Sequence, residues 1–336
     1  MKKWMIILMT MFVLVALAAC GSSDEEDKDN NNAGQENTNG ETANNEPEAN
    51  TNEEEVTYEV EHAMGTTTIE GQPERIVVLT NHGTEALLAL GIKPVGAVQS
   101  WTGDPWYDHI ADQMEGVQVV GTESDISLEA ILALEPDLIL GNKMRQEEHY
   151  QALSDIAPTV FEETLRGDWK VNFKLISEAV NKEAEGQEVL DAYNNRVAEL
   201  SENLGDKLST EVSMVRFMPA DVRVYHKDSF SGIILDEIGL ARPESQDVDD
   251  FAAKGVTKER IHEMDGDVIF YFTYENEKGE GQQVEDQWIN DPLWNSLEAV
   301  KAGKVYEVSD TIWNTAGGVL AANLMLDDLK EKLLGE

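Results

Sequence analysis

A single cysteine, Cys20, occurs in 336 residues. A disulfide framework is excluded, and so is any zinc site built on paired cysteines. Basic residues are scarce: 25 Lys and Arg stand against 66 Asp and Glu, a formal net charge of −41. Residues 1–55 hold 12 of the acids and 3 of the lysines, so the remainder carries 54 against 22, or −32. Such a chain repels polyanions, which excludes nucleic acid and anionic lipid as partners. No G-x-G-x-x-G follows a strand pattern, and there is no P-loop and no G-x-S-x-G elbow. The six histidines, at 62, 82, 109, 149, 226 and 262, form no pair at ligand spacing. Direct metal binding, a resident cofactor and enzymatic activity are therefore not expected. After residue 17, no apolar run is long enough to cross a bilayer.

The chain begins with a basic and then apolar segment. Lys2 and Lys3 precede a run from Trp4 to Leu17, closed by Ala18-Ala19-Cys20. This pattern predicts a secretory signal over 1–19. Leu17-Ala-Ala-Cys20-Gly21 resembles a lipobox, which implies cleavage before Cys20 and a lipid on its sulfur. Two or more acyl chains, each buried CH2 contributing roughly 0.8 kcal/mol, would anchor the protein stably to the outer face of the cell membrane. Residues 20–55 are mostly Asn, Asp, Glu, Gly, Ser and Thr, with three alanines and Pro47 as the only apolar side chains after Cys20. They read as an acidic tether that cannot form a core.

From Val56 the pattern changes. Val56–Val60 and Thr66–Ile69 suggest a hairpin, and Arg75–Thr80 is an apolar run typical of a buried parallel strand. Strands at Pro94–Val98, Asp137–Gly141 and Thr159–Phe161 alternate with helical stretches, which predicts an α/β domain. Val189, Tyr193, Val197, Leu200 and Leu204 recur at helical spacing and predict one long helix from about Glu183 to Leu204. Strands then resume at Glu211–Phe217, Arg223–Tyr225, Asp267–Thr273 and Lys304–Val308, before a closing helix over Leu320–Leu333. The expected organisation is α/β: two Rossmann-like lobes, 56–170 and 207–336, joined through a helical connector at 171–206.

An internal echo supports two lobes. Ser127-Leu-Glu129 through Asp137-Leu-Ile139 aligns without gaps with Thr257-Lys-Glu259 through Asp267-Val-Ile269. Each copy starts with a residue suited to cap a helix, places Glu in the first turn, and enters a strand through Asp.

Only eight arginines occur, and several stand beside aromatics where strands leave a sheet, the usual place for ligands of α/β folds. Arg145 follows the strand ending at Gly141. Arg166 precedes Gly-Asp-Trp169, Arg216 lies in Val-Arg-Phe217, and His226 follows Arg223 and Tyr225. Trp101 opens the Thr-Gly-Asp-Pro-Trp106 loop, and Trp313 lies in Asp-Thr-Ile-Trp-Asn314. Guanidinium forks meet carboxylate or hydroxamate oxygens, and indoles cover flat or methylene surfaces. A cleft of this kind in an acidic protein suits a small anion with apolar arms. Trp288 and Trp294, flanking Asn290-Asp-Pro292, read as packing for a turn.

Several segments together resemble the iron-siderophore-binding lipoproteins of bacilli. They are the lipobox and tether, Ala63-Met-Gly-Thr-Thr67, Glu85-Ala-Leu-Leu-Ala-Leu-Gly91, Trp101 to His109 and Gly141-Asn-Lys-Met-Arg-Gln146. Ile156-Ala-Pro-Thr-Val160, Leu165-Arg-Gly-Asp-Trp169, Val215-Arg-Phe-Met218 and Asp310 to Gly318 extend the likeness across residues 56–334. The resemblance is greatest to binding proteins for citrate-hydroxamate siderophores of the schizokinen and arthrobactin type. It implies a class III substrate-binding fold on the surface of a Gram-positive cell, a monomer that serves an ABC permease with its ATPase. It further implies that Glu129 and Glu259 meet the permease, one per lobe. On this reading Arg145, Arg166, Arg216 and His226 bind the iron-bearing oxygens, and Trp101, Trp169, Tyr271 and Trp313 form walls. The iron needs no protein ligand, since two hydroxamates and a hydroxycarboxylate fill its six positions. A catecholate or carboxylate siderophore, heme or cobalamin on the same fold is the alternative.

Overall fold

The structure is a computed structural model, and it describes residues 56–335 except Arg166 and Glu277. The expected signal, Cys20 and the tether lie outside the described residues. No described helix is long and apolar enough to cross a membrane.

The body opens with the antiparallel hairpin β1 (Thr57–His62) and β2 (Gly65–Glu70). Next come β3 (Ile76–Val78), α1 (Asn81–Ala89), β4 (Gly96–Ala97), β5 (Gln118–Val119) and the small ribbon of β6 (Gly121–Thr122) and β7 (Asp125–Ile126). Then follow α2 (Leu128–Ala133), β8 (Leu138–Asn142), α3 (Lys143–Gln146), α4 (Tyr150–Ser154) and β9 (Thr159–Glu162). Two helices, α5 (Trp169–Ala179) and α6 (Glu183–Leu204), lead into the second half. That half contains β10 (Val212–Met218), β11 (Asp221–Tyr225), α7 (Phe230–Ile238), β12 (Ala252–Ala253) and β13 (Val268–Thr273). It closes with α8 (Glu280–Ile289), α9 (Glu298–Lys301), β14 (Val305–Glu307) and α10 (Val319–Leu334).

Two five-stranded sheets result. The first has the order β5-β4-β3-β8-β9 and is parallel throughout. The second has the order β12-β11-β10-β13-β14, with β10, β13 and β14 parallel and β11 and β12 antiparallel. Strand alternation divides the buried residues between faces. Ile76, Val78, Leu138 and Leu140 of the first sheet, and Met214, Phe270 and Phe272 of the second, join one continuous core with residues of α1, α5, α6 and α10. Their neighbours Val77, Leu79 and Ile139 face a separate cluster with Phe161, and Val215, Phe217 and Ile269 face another with Trp288 and Trp294.

The long helix spans the residues its periodicity predicts. Leu190, Tyr193, Val197, Leu200 and Leu204 are buried, while Val189 sits at the margin. The closing helix does more than complete the second half. It packs against α1 of the first half and against α6.

The internal echo has a structural basis. Both copies lead into the fourth strand of their sheet, β8 in one and β13 in the other. The carboxylate of Asp137 accepts the N–H groups of Glu74 at 2.8 Å and Arg75 at 2.9 Å, and Asp267 accepts the N–H of Glu211 at 2.9 Å. Each Asp thus pins its strand to the start of the central neighbour. The helical turns differ. Ser127 accepts the N–H of Ala130 at 3.2 Å and caps α2. Thr257 makes no cap bond, and the turn it precedes, Lys258–Met264, is a 3-10 helix. The expectation of matched caps is corrected there: the Thr257 hydroxyl bonds to the Glu259 carboxylate instead.

Candidate ligand-binding cleft

A cavity of about 450 Å3 draws its lining from both halves of the chain. The size is that of a small-molecule site. It lies where the parallel strands of both sheets end, the position at which α/β folds hold ligands.

On the first side, the turn after β8 delivers Arg145. Asn142 caps α3 by accepting the Met144 N–H at 2.9 Å, and Gln146 anchors the turn through the Leu79 and Glu123 carbonyls at 3.2 and 2.8 Å. The Arg145 guanidinium lies 5.7 Å from the Trp101 ring centre, and its Nε is 3.6 Å from Glu123 Oε2. Glu123 is buried, and its Oε1 accepts the Asn81 backbone N–H at 2.8 Å and the Asn81 amide at 2.7 Å. This places the carboxylate at the N-terminus of α1, where negative charge is favoured. Arg145 is therefore held over an indole by a fixed anion, with its side chain 39 % exposed toward the cleft. Trp101 is set by its loop: its backbone N–H donates to the Tyr107 hydroxyl at 3.4 Å, and the Tyr107 backbone N–H donates to Ser100 Oγ at 3.0 Å.

His82, in the first turn of α1, also lines the cavity. Its Nε2 is 2.7 Å from Glu162. Burial alone would depress its pKa, but the carboxylates of Glu162, Glu123 and Glu85 outweigh that and raise it above the ordinary histidine value.

On the second side, Arg216 projects from β10. Its Nε and Nη2 meet the two oxygens of Asp310 at 2.5 and 3.0 Å, and its Nη1 donates to the Tyr225 hydroxyl at 3.1 Å. The guanidinium lies 5.2 Å from the Tyr274 ring centre. Both members of the pair are buried, so Asp310 offsets much of the charge of Arg216. Arg223 adds a third guanidinium, 2.7 Å from Asp221, and Lys254 lies over Phe251 at 5.5 Å. Met144, Met218, Tyr225 and Phe230 supply apolar wall, and Asn314 to Gly317 supply another stretch of lining. Trp169 closes one end, edge-on to Tyr193 at 5.2 Å.

Of the eight residues read from the sequence as ligand-binding, Trp101, Arg145, Trp169 and Arg216 converge on this cavity. Arg166 lies outside the described residues. The structure places the other three elsewhere. Trp313 is fully buried, stacked on Phe270 at 4.7 Å with its N–H donated to Asp328 at 2.8 Å, and serves as core. Tyr271 alternates with the inward Phe270 and Phe272, so its ring packs on the opposite face against Phe217 and Trp294. His226 is buried beside Asp250 at 3.4 Å and does not line the cavity; burial lowers its pKa. Arg223 and Tyr225, noted in the sequence beside His226 but not counted as ligand-binding, also line the cavity through their i, i+2 spacing on β11, and Phe230, Phe251, Lys254 and Tyr274 were missed.

Glu129 and Glu259 are exposed, each in the first turn of its helical segment. The Glu259 carboxyl is held below its usual value by the Thr257 hydroxyl and its own backbone N–H. Among the described residues, no group of three or more His, Cys, Asp or Glu side chains is arranged to hold a metal ion.

The model of the periplasmic binding protein family matches residues 76–311, which include every strand of both five-stranded sheets and the cleft residues from His82 to Tyr274. The chain belongs to this family. It is 52 % identical over 286 residues to the probable siderophore-binding lipoprotein YfiY of Bacillus subtilis (strain 168), covering 83 % of this chain and 88 % of that protein. It is 32 % identical over 262 residues to the achromobactin-binding periplasmic protein of Dickeya dadantii (strain 3937), covering 76 % and 85 %. Among solved structures, Staphylococcus aureus SirA complexed with staphyloferrin B is similar with a TM-score of 0.77 and 34 % identity, over 83 % of this chain and 99 % of that one. As a periplasmic binding protein the chain binds solute for a transporter and is not an enzyme. The cleft is accordingly read as a binding site.

Proposed function

We propose that this protein captures a ferric siderophore outside the cell and hands it to an ABC importer for iron uptake. The observation that carries the reading is the convergence of Arg145, Arg216, Arg223 and Lys254 with aromatic walls in one cavity, inside a chain of net charge −41. Three of these cations already face a carboxylate: Glu123, Asp310 and Asp221. That balance suits a ligand with about one net negative charge rather than several, since like charges at close range repel strongly in a poorly solvated cleft. A ferric citrate-hydroxamate complex fits this description, and its own oxygens enclose the metal.

The lipid on Cys20, the tether over 20–55 and a place on the outer face of a Gram-positive membrane belong to the same reading. So do the lobes at 56–170 and 207–336 with the connector at 171–206, and a monomeric state. Glu129 and Glu259 stand as the permease contacts, exposed at topologically equivalent points of the two halves.

Tryptophan quenching tests the ligand class. Ferric schizokinen and ferric arthrobactin should saturate at low concentration, and the metal-free siderophores should not. Ferric staphyloferrin B, ferric achromobactin, a ferric catecholate and heme complete the panel. Saturation by one of these in place of both hydroxamates would move the specificity while leaving the transport role. Quenching by none would remove the role.

A further inference from the structure

Glu85 is the only carboxylate of α1, and its side chain is completely buried. A buried carboxylate needs partners close at hand, and those of Glu85 come from opposite ends of the chain. Its Oε1 lies 2.5 Å from Nε2 of His109, in the loop that carries Trp101. Its Oε2 accepts the backbone N–H of Ala321 at 3.0 Å. Ala321 is in the first turn of α10, where N–H groups lack helical acceptors and a negative charge is favoured. The approach is close: a Cβ at Gly318 would come within 2.6 Å of Glu85 Oε2 and 3.1 Å of the His82 carbonyl oxygen. Gly317, with φ of +68°, completes the turn just before it.

Two further links run beside this one. Thr102 Oγ1 is 3.0 Å from Thr311 Oγ1. Tyr107 stacks on the His109 ring at 5.8 Å, and its hydroxyl bonds to Thr315 as well as accepting the Trp101 N–H. The Trp101 loop and the segment 311–321 are thus fastened together, and Asn314 to Gly317 of that segment line the cavity.

We infer that Glu85 is a positioning residue: its carboxylate latches the N-terminus of α10 to the first half of the molecule and so fixes the 314–317 wall of the ligand cavity. It is absent from the cavity lining and touches no ligand. The inference rests on the reading of the cavity as the ligand site.

Amide hydrogen exchange of the ligand-free protein tests the latch directly. Glutamine keeps the size of Glu85 and can still accept the Ala321 N–H, but it removes the negative charge from the N-terminus of α10. In Glu85→Gln, amides of 319–322 should exchange about tenfold faster, the difference between a charge-assisted and a neutral hydrogen bond. Amides of β10 and β13 should be unchanged. Ferric schizokinen, used as the probe, should dissociate at least about tenfold faster from the variant. Unchanged protection at Ala321 would overturn the latch, and so would a uniform acceleration across both sheets, which marks a merely structural role. Should Glu85→Gln not fold, Gly318→Ala pushes the same surfaces apart with the charge intact. Local acceleration at 319–322 is again expected, and its absence refutes the proposal. If the wild type fails to bind the probe, the ligand reading falls, while the exchange result still decides the latch.

Discussion

Arg145 shows how a cation is kept ready without being neutralised. Glu123 is fixed by two bonds from Asn81 and sits 3.6 Å from the guanidinium, too far for a tight bidentate pair. Arg216, by contrast, is engaged along two edges of its guanidinium, by Asp310 and by Tyr225. Replacing Arg145 with Ala should weaken ferric-siderophore binding by about tenfold or more, since a charge-assisted hydrogen bond contributes about 1.5–3 kcal/mol. An unchanged quenching titration would remove Arg145 from the site. His82 makes a different prediction. Its folded pKa is raised, so the pair with Glu162 contributes stability that is complete below the unfolded value of about 6.5 and is lost as pH rises through the folded value. Urea unfolding from pH 6 upward should show that loss in the wild type and a flatter profile in His82→Gln; parallel profiles would contradict it. At this scale the sequence was legible where chemistry and position agree. Arg145 follows a strand end and carries a guanidinium, a group that has little use in a core. Trp313 and Tyr271 were misplaced because an aromatic serves a core and a cleft equally well, and the face a strand residue takes depends on which side the other half packs. Tyr225, Phe230 and Phe251 were passed over for the same reason.

At the scale of elements, the repeated unit before the fourth strand of each sheet was visible as a gapless alignment. Its strand-pinning Asp residues are realised in both halves, because each can reach the open N–H groups at the start of the neighbouring strand. The cap is realised in one only. Ser127→Ala should cost about 1 kcal/mol, the usual worth of an N-cap. Thr257→Ala should cost clearly less, because its hydroxyl satisfies no helix N–H. Denaturant unfolding of the two variants checks this, and equal losses would contradict it. The position of α10 was not legible. Its apolar periodicity marks a helix that buries a face, but nothing local tells that the face belongs against α1 and α6. That information lies in Glu85 and Gly318, far apart in the chain.

The whole molecule joins its halves through one continuous core that includes α6 and the returning α10. A hinge of separate strands would allow large closure; a shared core with a long helix allows only small relative movement. Spin labels at Glu129→Cys and Glu259→Cys, with Cys20 replaced, should therefore report nearly the same separation in the free and loaded protein. A shift of many ångströms would contradict this rigidity. The charge distribution acts at the same scale. The acidic surface repels polyanions, while a few cations are gathered at the cleft. In the proposed function that cleft holds an iron chelate whose metal never touches the protein. Diffraction at the iron absorption edge from crystals loaded with ferric schizokinen is the most direct test. A single iron peak is predicted inside the cavity, enclosed by siderophore oxygens, with Arg145 and Arg216 against the chelate. An iron peak bonded to a protein side chain, or lying outside the cavity, would contradict it.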